Sequence, residues 1–557
     1  MKGMALAVFA FSVIGLCMAR SWADTDTDWD RLTATPEVVE AWKDMRFGMF
    51  VCWGPVTLTG LEIGWSRGKA HPEQAQGGRG PTPVEVYDNL YKEWQPDRFD
   101  AREWIAVARD AGARYVIFLV KHHDGFCLYD TKLTEYRSTG SESAWRVDVL
   151  RAVADACHEA DVKLIVYYSQ PDWHHPDYRT ANHARYIEYL HGQIREILTH
   201  YGRIDGLWFD LGGKPEDWDS ENLFRMARDL QPWLIINNRC GLRGDFDTPE
   251  QKLGRFQVDR PWETCMTLGT QWSWKPDDTI KSLKACVDAL VTCAVRDGNL
   301  ALNTNPMPDG RIEPRQAERF REIGRWLNAY GESVYDTRGG PFRSADWGGA
   351  THRGDTIYVH VLAWPEQGLT LPPIPLKIVA SLVVTGGAAS VTQRDDGIAL
   401  NVPPGDRQEL DTIIALKLDG PASDIEPMPY RSNSLAFGKR TAASSAWGAG
   451  YEAEKAFDDD ETTRWGGAPD SRDGWIEVDL GAETTFRRVA INEEGWDRIE
   501  EFELQSWDGA AWQAFVRGER VGRLELKFEP VTAQKVRLNI LKANDVPTIW
   551  EIQVFEN

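Results

Sequence analysis

The 557-residue sequence predicts an α/β fold: a (β/α)8-like barrel, then a small antiparallel β-sandwich, then a C-terminal jelly-roll β-sandwich. Three observations carry this. From about residue 36 to 335, apolar strand-like runs alternate with amphipathic stretches, the pattern of a parallel sheet with crossover helices. Polar outliers gather just after those runs, as at the carboxyl mouth of a barrel. Beyond Gly339-Gly340 the period changes to short β-rich segments between Pro and Gly turns.

Candidate strands are 47–53, 115–120, 164–169, 206–210, 234–238 and 300–303. They are near-continuously apolar, as strands covered on both faces should be. Helices are expected over 101–110, 147–159, 186–200 and 281–295. An open doubly wound sheet is the rival, but no Gly-rich phosphate loop follows the first strand. Segments 356–362, 376–385 and 411–418 read as sandwich strands, and the bridge Glu426-Pro427-Met428-Pro429 opens the last module. The expected division is a signal peptide over 1–23, a catalytic barrel over 24–340, a sandwich over 341–428 and a final module over 429–557.

Hydrophobic content of 42% supports packed cores. The net charge of −22 argues against nucleic acid and anionic membranes as partners. The 25 Trp are mildly suggestive of carbohydrate, because flat aromatic faces stack on the C–H faces of sugars. Lys2, the apolar stretch 5–19 and the small-x-small triplet Ser21-Trp22-Ala23 read as a secretory signal, hence a secreted or periplasmic protein that is not membrane-embedded. Removing it leaves seven of eight Cys without regular spacing, which fits buried thiols better than a disulfide framework.

Chemistry concentrates at two strand ends. Lys121-His122-His123-Asp124-Gly125-Phe126 follows a buried run and reads as a sugar- or metal-handling edge; no Cys/His set has zinc spacing. Asp210 ends the run Ile204-Asp205-Gly206-Leu207-Trp208-Phe209, and Phe246-Asp247-Thr248-Pro249-Glu250-Gln251 puts another acid on a loop beyond the next strand. Two such carboxylates can flank a glycosidic bond. By spacing alone the signal is weak, and each reads first as a surface or helix-capping acid.

Arg46-Phe47-Gly48-Met49-Phe50, the His122-His123 segment, Trp208-Phe209-Asp210, Asn238-Arg239, Trp262-Glu263-Thr264-Cys265, Gly298-Asn299-Leu300-Ala301-Leu302-Asn303 and Pro308-Asp309-Gly310 occur in this order. Over roughly residues 36–340 the chain thereby resembles the glycoside hydrolase family 29 α-L-fucosidases. The resemblance implies a barrel with an attached sandwich and a retaining mechanism. It puts Asp210 at the nucleophile position and Glu250 at the acid/base, with Glu263 as the alternative. It implies sugar contacts from His122, His123, Tyr168, Trp208 and Arg239. Where the family reads Phe-x-His-Trp-Gly with a sugar-binding His, this chain has Phe50-Val51-Cys52-Trp53-Gly54. A thiol is a poor donor beside imidazole, so the sugar read there is open. Cys52, Trp53 and Trp65 are expected in the pocket wall, and Arg67 is a candidate partner for an anionic substituent.

Residues 456–465 (AFDDDETTRW), 475–481 (WIEVDLG) and 549–554 (IWEIQV) resemble the discoidin-like F5/8 type C domains, which overlap with family 32 carbohydrate-binding modules. That resemblance implies a structural calcium held by Asp458, Asp460 and Thr463, oxygen ligands of the kind the ion prefers. No cofactor is expected in catalysis. The expected function is exo-acting release of terminal α-L-fucose from a fucosylated oligosaccharide or polysaccharide. The alternatives are the same hydrolysis of an α-L-galactoside or substituted fucose, or a non-catalytic carbohydrate-binding protein.

Overall fold

The computed structural model describes residues 31–69, 78–365, 368–428, 432, 434–460, 463–493 and 495–556. The expected signal segment lies outside them, as do Glu461 and Thr462 of the acidic loop. Seven parallel strands form the first sheet: β1 Phe47–Val51, β2 Tyr115–Lys121, β3 Lys163–Tyr168, β4 Gly206–Phe209, β5 Ile235–Ile236, β6 Glu263–Thr267 and β7 Asn299–Thr304. Their order is β5-β4-β3-β2-β1-β7-β6. The gap between β5 and β6 is spanned by the segment carrying Glu250, through parallel bridges Asn237↔Phe246, Asp247↔Trp262 and Glu250↔Cys265. The sheet thus curls into a barrel whose eighth stave is only a few bridged residues.

β6 escapes the apolar criterion because its sequence, Glu-Thr-Cys-Met-Thr, is mostly polar although every residue is buried. Its inward Glu263 and Cys265 face the barrel interior, where polar atoms find partners. That interior also holds Phe50, Tyr115, Ile117, Leu119, Ile165, Tyr167 and Trp208. Tyr115 fills the floor so closely that a Cβ on Gly48 would come within 2.2 Å of its ring. The alternate residues face the helices instead, among them Phe47, Met49, Val51, Val116, Phe118, Val166 and Tyr168.

At the amino end of the barrel, Arg46 of the first motif is fully buried and pairs with Asp297 at 2.6 Å, while Lys43 reaches the same carboxylate at 3.0 Å. Burial pushes Asp297 up, but the two cations outweigh it and hold its carboxyl below the ordinary value. This motif residue therefore braces the fold. Helix Ala101–Asp110 has the expected bounds and is capped by Asp100, whose side chain accepts from the Arg102 N–H.

Two antiparallel sheets follow. One has five strands (Ile378–Val383, Thr412–Leu418, Thr356–Val361, Gly348–Arg353, Arg338–Gly339) and the other three (Leu369–Leu371, Gly397–Asn401, Ser390–Arg394). They share a core that includes Ile357, Val359, Leu371, Leu400 and Leu416. The last region is built on the long paired strands Gly474–Asn492 and Arg523–Ala543, with its own core around Phe457, Trp465, Ile476, Phe502 and Leu538. The seven described cysteines are all buried free thiols. Among the described residues no helix is long and apolar enough to cross a membrane.

Candidate active site

A cavity of about 370 Å³, counted to its open mouth, sits at the carboxyl ends of the strands. Phe50, Cys52, Ile63, Leu119, Cys265 and Trp272 make an apolar arc; His122, Tyr167, Asp210, Arg239 and Glu250 face it, with Trp208 and Trp65 completing the wall.

Arg239 organises the polar side. Its Nη1 donates to Asp210 Oδ1 and to Glu250 Oε2, each at 2.8 Å. Two acids forty residues apart thus meet on one nitrogen, and their nearer oxygens lie within twice that distance of each other. Nε and Nη2 donate to the Thr248 hydroxyl and carbonyl, and the guanidinium lies 4.7 Å from the Trp208 ring centre. The buried Gln170 accepts from the Asp210 N–H at 2.8 Å and donates to the carbonyls of Gly212 and Arg239, locking the two loops together. No sequence signal singles out Gln170 or Thr248, because their partners are main-chain or come from another strand.

Asp210 also accepts from the Tyr167 hydroxyl at 2.7 Å. Burial pushes its carboxyl up, but the charge His123 carries when protonated, Arg239 and the Tyr167 hydrogen bond outweigh it and hold it below the ordinary value. Burial drives His123 down to about 4. The imidazole is therefore neutral at neutral pH, and Arg239 supplies the cation beside Asp210. Ser169 donates its hydroxyl to the Pro171 carbonyl, so His123 Nδ1 is the donor to Ser169 Oγ at 2.5 Å. That network assigns the lone pair to Nε2, which lies 3.5 Å from Asp210 Oδ2 without a hydrogen-bond partner. His122 stacks parallel to Tyr167 at 5.9 Å, and burial holds its imidazole well below the ordinary value too. Gly64 packs so tightly on it that a Cβ there would approach Nδ1 to 2.2 Å.

Three expectations need correction. Tyr168 does not reach the cavity: strand alternation turns it toward the helices, where its hydroxyl donates to Gln193, and its neighbour Tyr167 takes the inward place. Trp53 is likewise turned outward into an aromatic cluster with Trp94, Phe99, Trp104 and Trp145, its indole donating to the Met307 carbonyl. Arg67 is buried and forks onto Asp88 at 2.6 and 2.7 Å, so it is not positioned to meet a substrate anion. Trp65 does line the mouth, 44% exposed and edge-on to His123 and Trp173.

Glu263 is fully buried on the barrel floor. Its oxygens accept from the Tyr115 hydroxyl at 2.6 Å and the Trp208 indole at 3.0 Å. Burial pushes its carboxyl up to about 7, against the pull of those two hydrogen bonds and of Arg239. Cys52 is buried in the apolar arc, and burial raises its thiol well above the ordinary value, so it is an uncharged wall group.

His122, His123 and Asp210 offer ligand atoms within 4.8 Å of one another, the third member that sequence spacing does not reveal. Asp210, however, already accepts from Arg239, Tyr167 and the Leu211 N–H. A guanidinium 2.8 Å away opposes a second cation there.

In the last region, Thr463 Oγ1 lies 2.8 and 2.9 Å from the two Asp458 carboxylate oxygens and 3.2 Å from the carbonyls of Lys455 and Asp460. This all-oxygen set fits a hard cation. The Asp460 carboxylate is engaged by Arg343, so it is the Asp460 carbonyl, not its side chain, that faces the set.

A profile of the family described as Alpha-L-fucosidase matches residues 16–332, more than half of the chain, and one described as F5/8 type C domain matches residues 440–552. The tissue alpha-L-fucosidase of Homo sapiens is 23% identical over 413 residues, covering 68% of this chain and 87% of the relative. The alpha-L-fucosidase of Branchiostoma floridae is 24% identical over 438 residues, covering 72% and 95%. Alpha-L-fucosidase isoenzyme 1 from Paenibacillus thiaminolyticus superimposes with a TM-score of 0.62 at 30% identity, over 69% of this chain and 99% of that one. A Bacteroides thetaiotaomicron family 29 enzyme, solved as a covalent intermediate with 2-fluoro-fucosyl fluoride, gives 0.61 at 25%, over 70% and 97%. The chain belongs to the alpha-L-fucosidase family, as a glycoside hydrolase with a discoidin-like domain at its C-terminal end.

Proposed function

We propose that the protein is a retaining exo-α-L-fucosidase in which Asp210 attacks the anomeric carbon and Glu250 protonates the departing oxygen, then activates water. The observation that carries this is the shared Arg239 nitrogen, 2.8 Å from an oxygen of each carboxylate, which supports the close carboxyl pair, about 5–5.5 Å apart, that a double displacement uses. Asp210 is held ionised, as a nucleophile must be, and Glu250 stands at the mouth with its side chain 40% exposed, where a leaving group would emerge. His123 Nε2, a buried lone pair, suits a donating sugar hydroxyl.

The apolar arc around Cys52 favours a 6-deoxy sugar. A methyl group packs against Phe50, Ile63 and Cys265, whereas the extra hydroxyl of an L-galactoside would cost about 1–3 kcal/mol if it lost its partners there. With Arg67 occupied by Asp88, a sulfated fucose has lost its candidate partner. Release of chromophore from an aryl α-L-fucoside and the matching α-L-galactoside tests the reading. Fucoside turnover with an α-configured first product, followed by NMR, is expected. Faster galactoside turnover would favour the related sugar, and glycan binding without release from either would favour a binding protein.

We also propose that Asp458, Thr463 and the carbonyls of Lys455 and Asp460 hold a structural calcium. Its binding would stabilise the C-terminal region by mass action. A lower melting temperature in EGTA, absent in Asp458→Ala, is the expected result; an unchanged transition refutes it.

A further inference from the structure

The stave that carries Glu250 is the least self-sufficient part of the barrel. It meets β5 and β6 through isolated bridges rather than a continuous ladder, and Gln251, directly after Glu250, sits in the left-handed region at φ 55°. Such a conformation persists only where the surroundings enforce it. On the inner side they do: the Gln251 N–H donates to the Cys265 carbonyl at 2.9 Å, and Thr264 Oγ1 donates to the Lys252 carbonyl at 3.1 Å.

The outer side is covered by the discoidin-like domain. The Arg255 guanidinium lies 3.0 Å from the ring centre of Trp550, itself only 2% exposed. Arg464 approaches that ring at 4.9 Å from within the same domain. Lys252 Nζ stands 3.9 Å from where a Gly495 Cβ would be. Arg343, from the intervening sandwich, pairs with Asp460 and lies 5.1 Å from the Phe256 ring. The Arg255–Trp550 contact thus pins the segment that leaves Glu250 against the discoidin-like domain, with Arg343 of the sandwich beside Phe256.

We propose that the discoidin-like domain is a positioning element for catalysis: Trp550, through Arg255, holds the Glu250 stave in register with Asp210. The proposal rests on Glu250 being the acid/base. A displacement near 1 Å at such a group costs on the order of a hundredfold in rate, and the loss falls on the proton-transfer step. It therefore depends on the leaving group, which general destabilisation of the fold does not.

The test uses the full chain and two substrates: an activated aryl α-L-fucoside and an unactivated fucosylated disaccharide. Glu250→Ala, read first, is expected to lose at least a hundredfold more kcat on the disaccharide than on the aryl substrate. If it loses both alike, the acid/base assignment falls and this proposal with it. Trp550→Ala is expected to lose about tenfold or more on the disaccharide and less than about twofold on the aryl fucoside. Trp550→Phe should recover most of the loss. In the Glu250→Ala background, Trp550→Ala should add no further discrimination. Arg255→Ala removes the same contact from the barrel side and should reproduce the pattern if Trp550→Ala does not fold. Equal losses on both substrates, or wild-type kinetics in a folded Arg255→Ala enzyme, overturn the proposal.

Discussion

The mouth and the floor of this barrel each hold a glutamate, and the two differ in everything but chemistry. Glu250 sits on a thinly bridged stave, 40% exposed on its side chain and tied to Arg239. Glu263 lies in a regular strand, sealed from solvent, with Tyr115 and Trp208 on its two oxygens. Judged by proton affinity alone, Glu263 would suit a general acid, since burial pushes its carboxyl up to about 7. Judged by reach, it has no access to a glycosidic oxygen, and reach comes first. A raised affinity here marks a carboxyl held by its burial, whose work is to orient the Trp208 indole that walls the cavity.

The sharpest way to break that contrast is at the mouth. Asp210→Asn should lose on the order of 10⁴-fold or more in kcat, the scale of a removed nucleophile; near-normal turnover would dismantle the site. Glu250→Gln should lose about 10²–10⁴-fold in kcat on unactivated substrate, with little change in stability. Glu263→Gln should do the reverse, lowering the urea midpoint while kcat moves far less. Exchanged outcomes in this pair would make the floor glutamate the catalytic one.

Acidification separates the two regions by sign. His123, pushed down to about 4 by burial, stays neutral in the fold while the unfolded chain protonates it from about pH 6.5. Stability contributed there is lost as pH falls through that window, by about 3 kcal/mol at the bottom of it. Glu263, raised from 4.5 to about 7, takes up its proton in the fold first, so its contribution grows as pH falls from 7 toward 4.5. The two offset each other in the wild-type chain. Urea midpoints between pH 7 and 4 should fall more steeply in Glu263→Gln and less steeply in His123→Gln than in the parent, and parallel curves would reject both assignments.

The smallest test lies within one strand. Tyr167→Phe removes the hydroxyl that reaches Asp210 and should lower kcat/KM several-fold. Tyr168→Phe should leave kinetics alone and cost about 1 kcal/mol of stability, as its hydroxyl serves only Gln193.

Much of the site was legible from residue order. The strand-end positions of His122, His123, Asp210 and Arg239 follow from apolar runs breaking into polar residues, because a barrel places such breaks at its mouth. The β6 strand was not legible, since Glu-Thr-Cys-Met-Thr satisfies its polar groups inside the barrel and breaks the apolar pattern. Nor was the choice between Tyr167 and Tyr168, or the outward turn of Trp53: a one-residue difference in a strand reverses the face, and periodicity does not fix the phase of an unbrokenly buried run.

Sequence alone therefore determined the order of domains, the family and the stock of candidate groups, because hydrophobic period and ordered motifs are properties of the chain. Only the tertiary structure decided which glutamate meets Asp210, which tyrosine faces the cavity, that Arg67 is spent on Asp88, and that Trp550 lies against the Glu250 stave. Each of those depends on contacts between residues far apart in the chain, and local propensity carries no record of them.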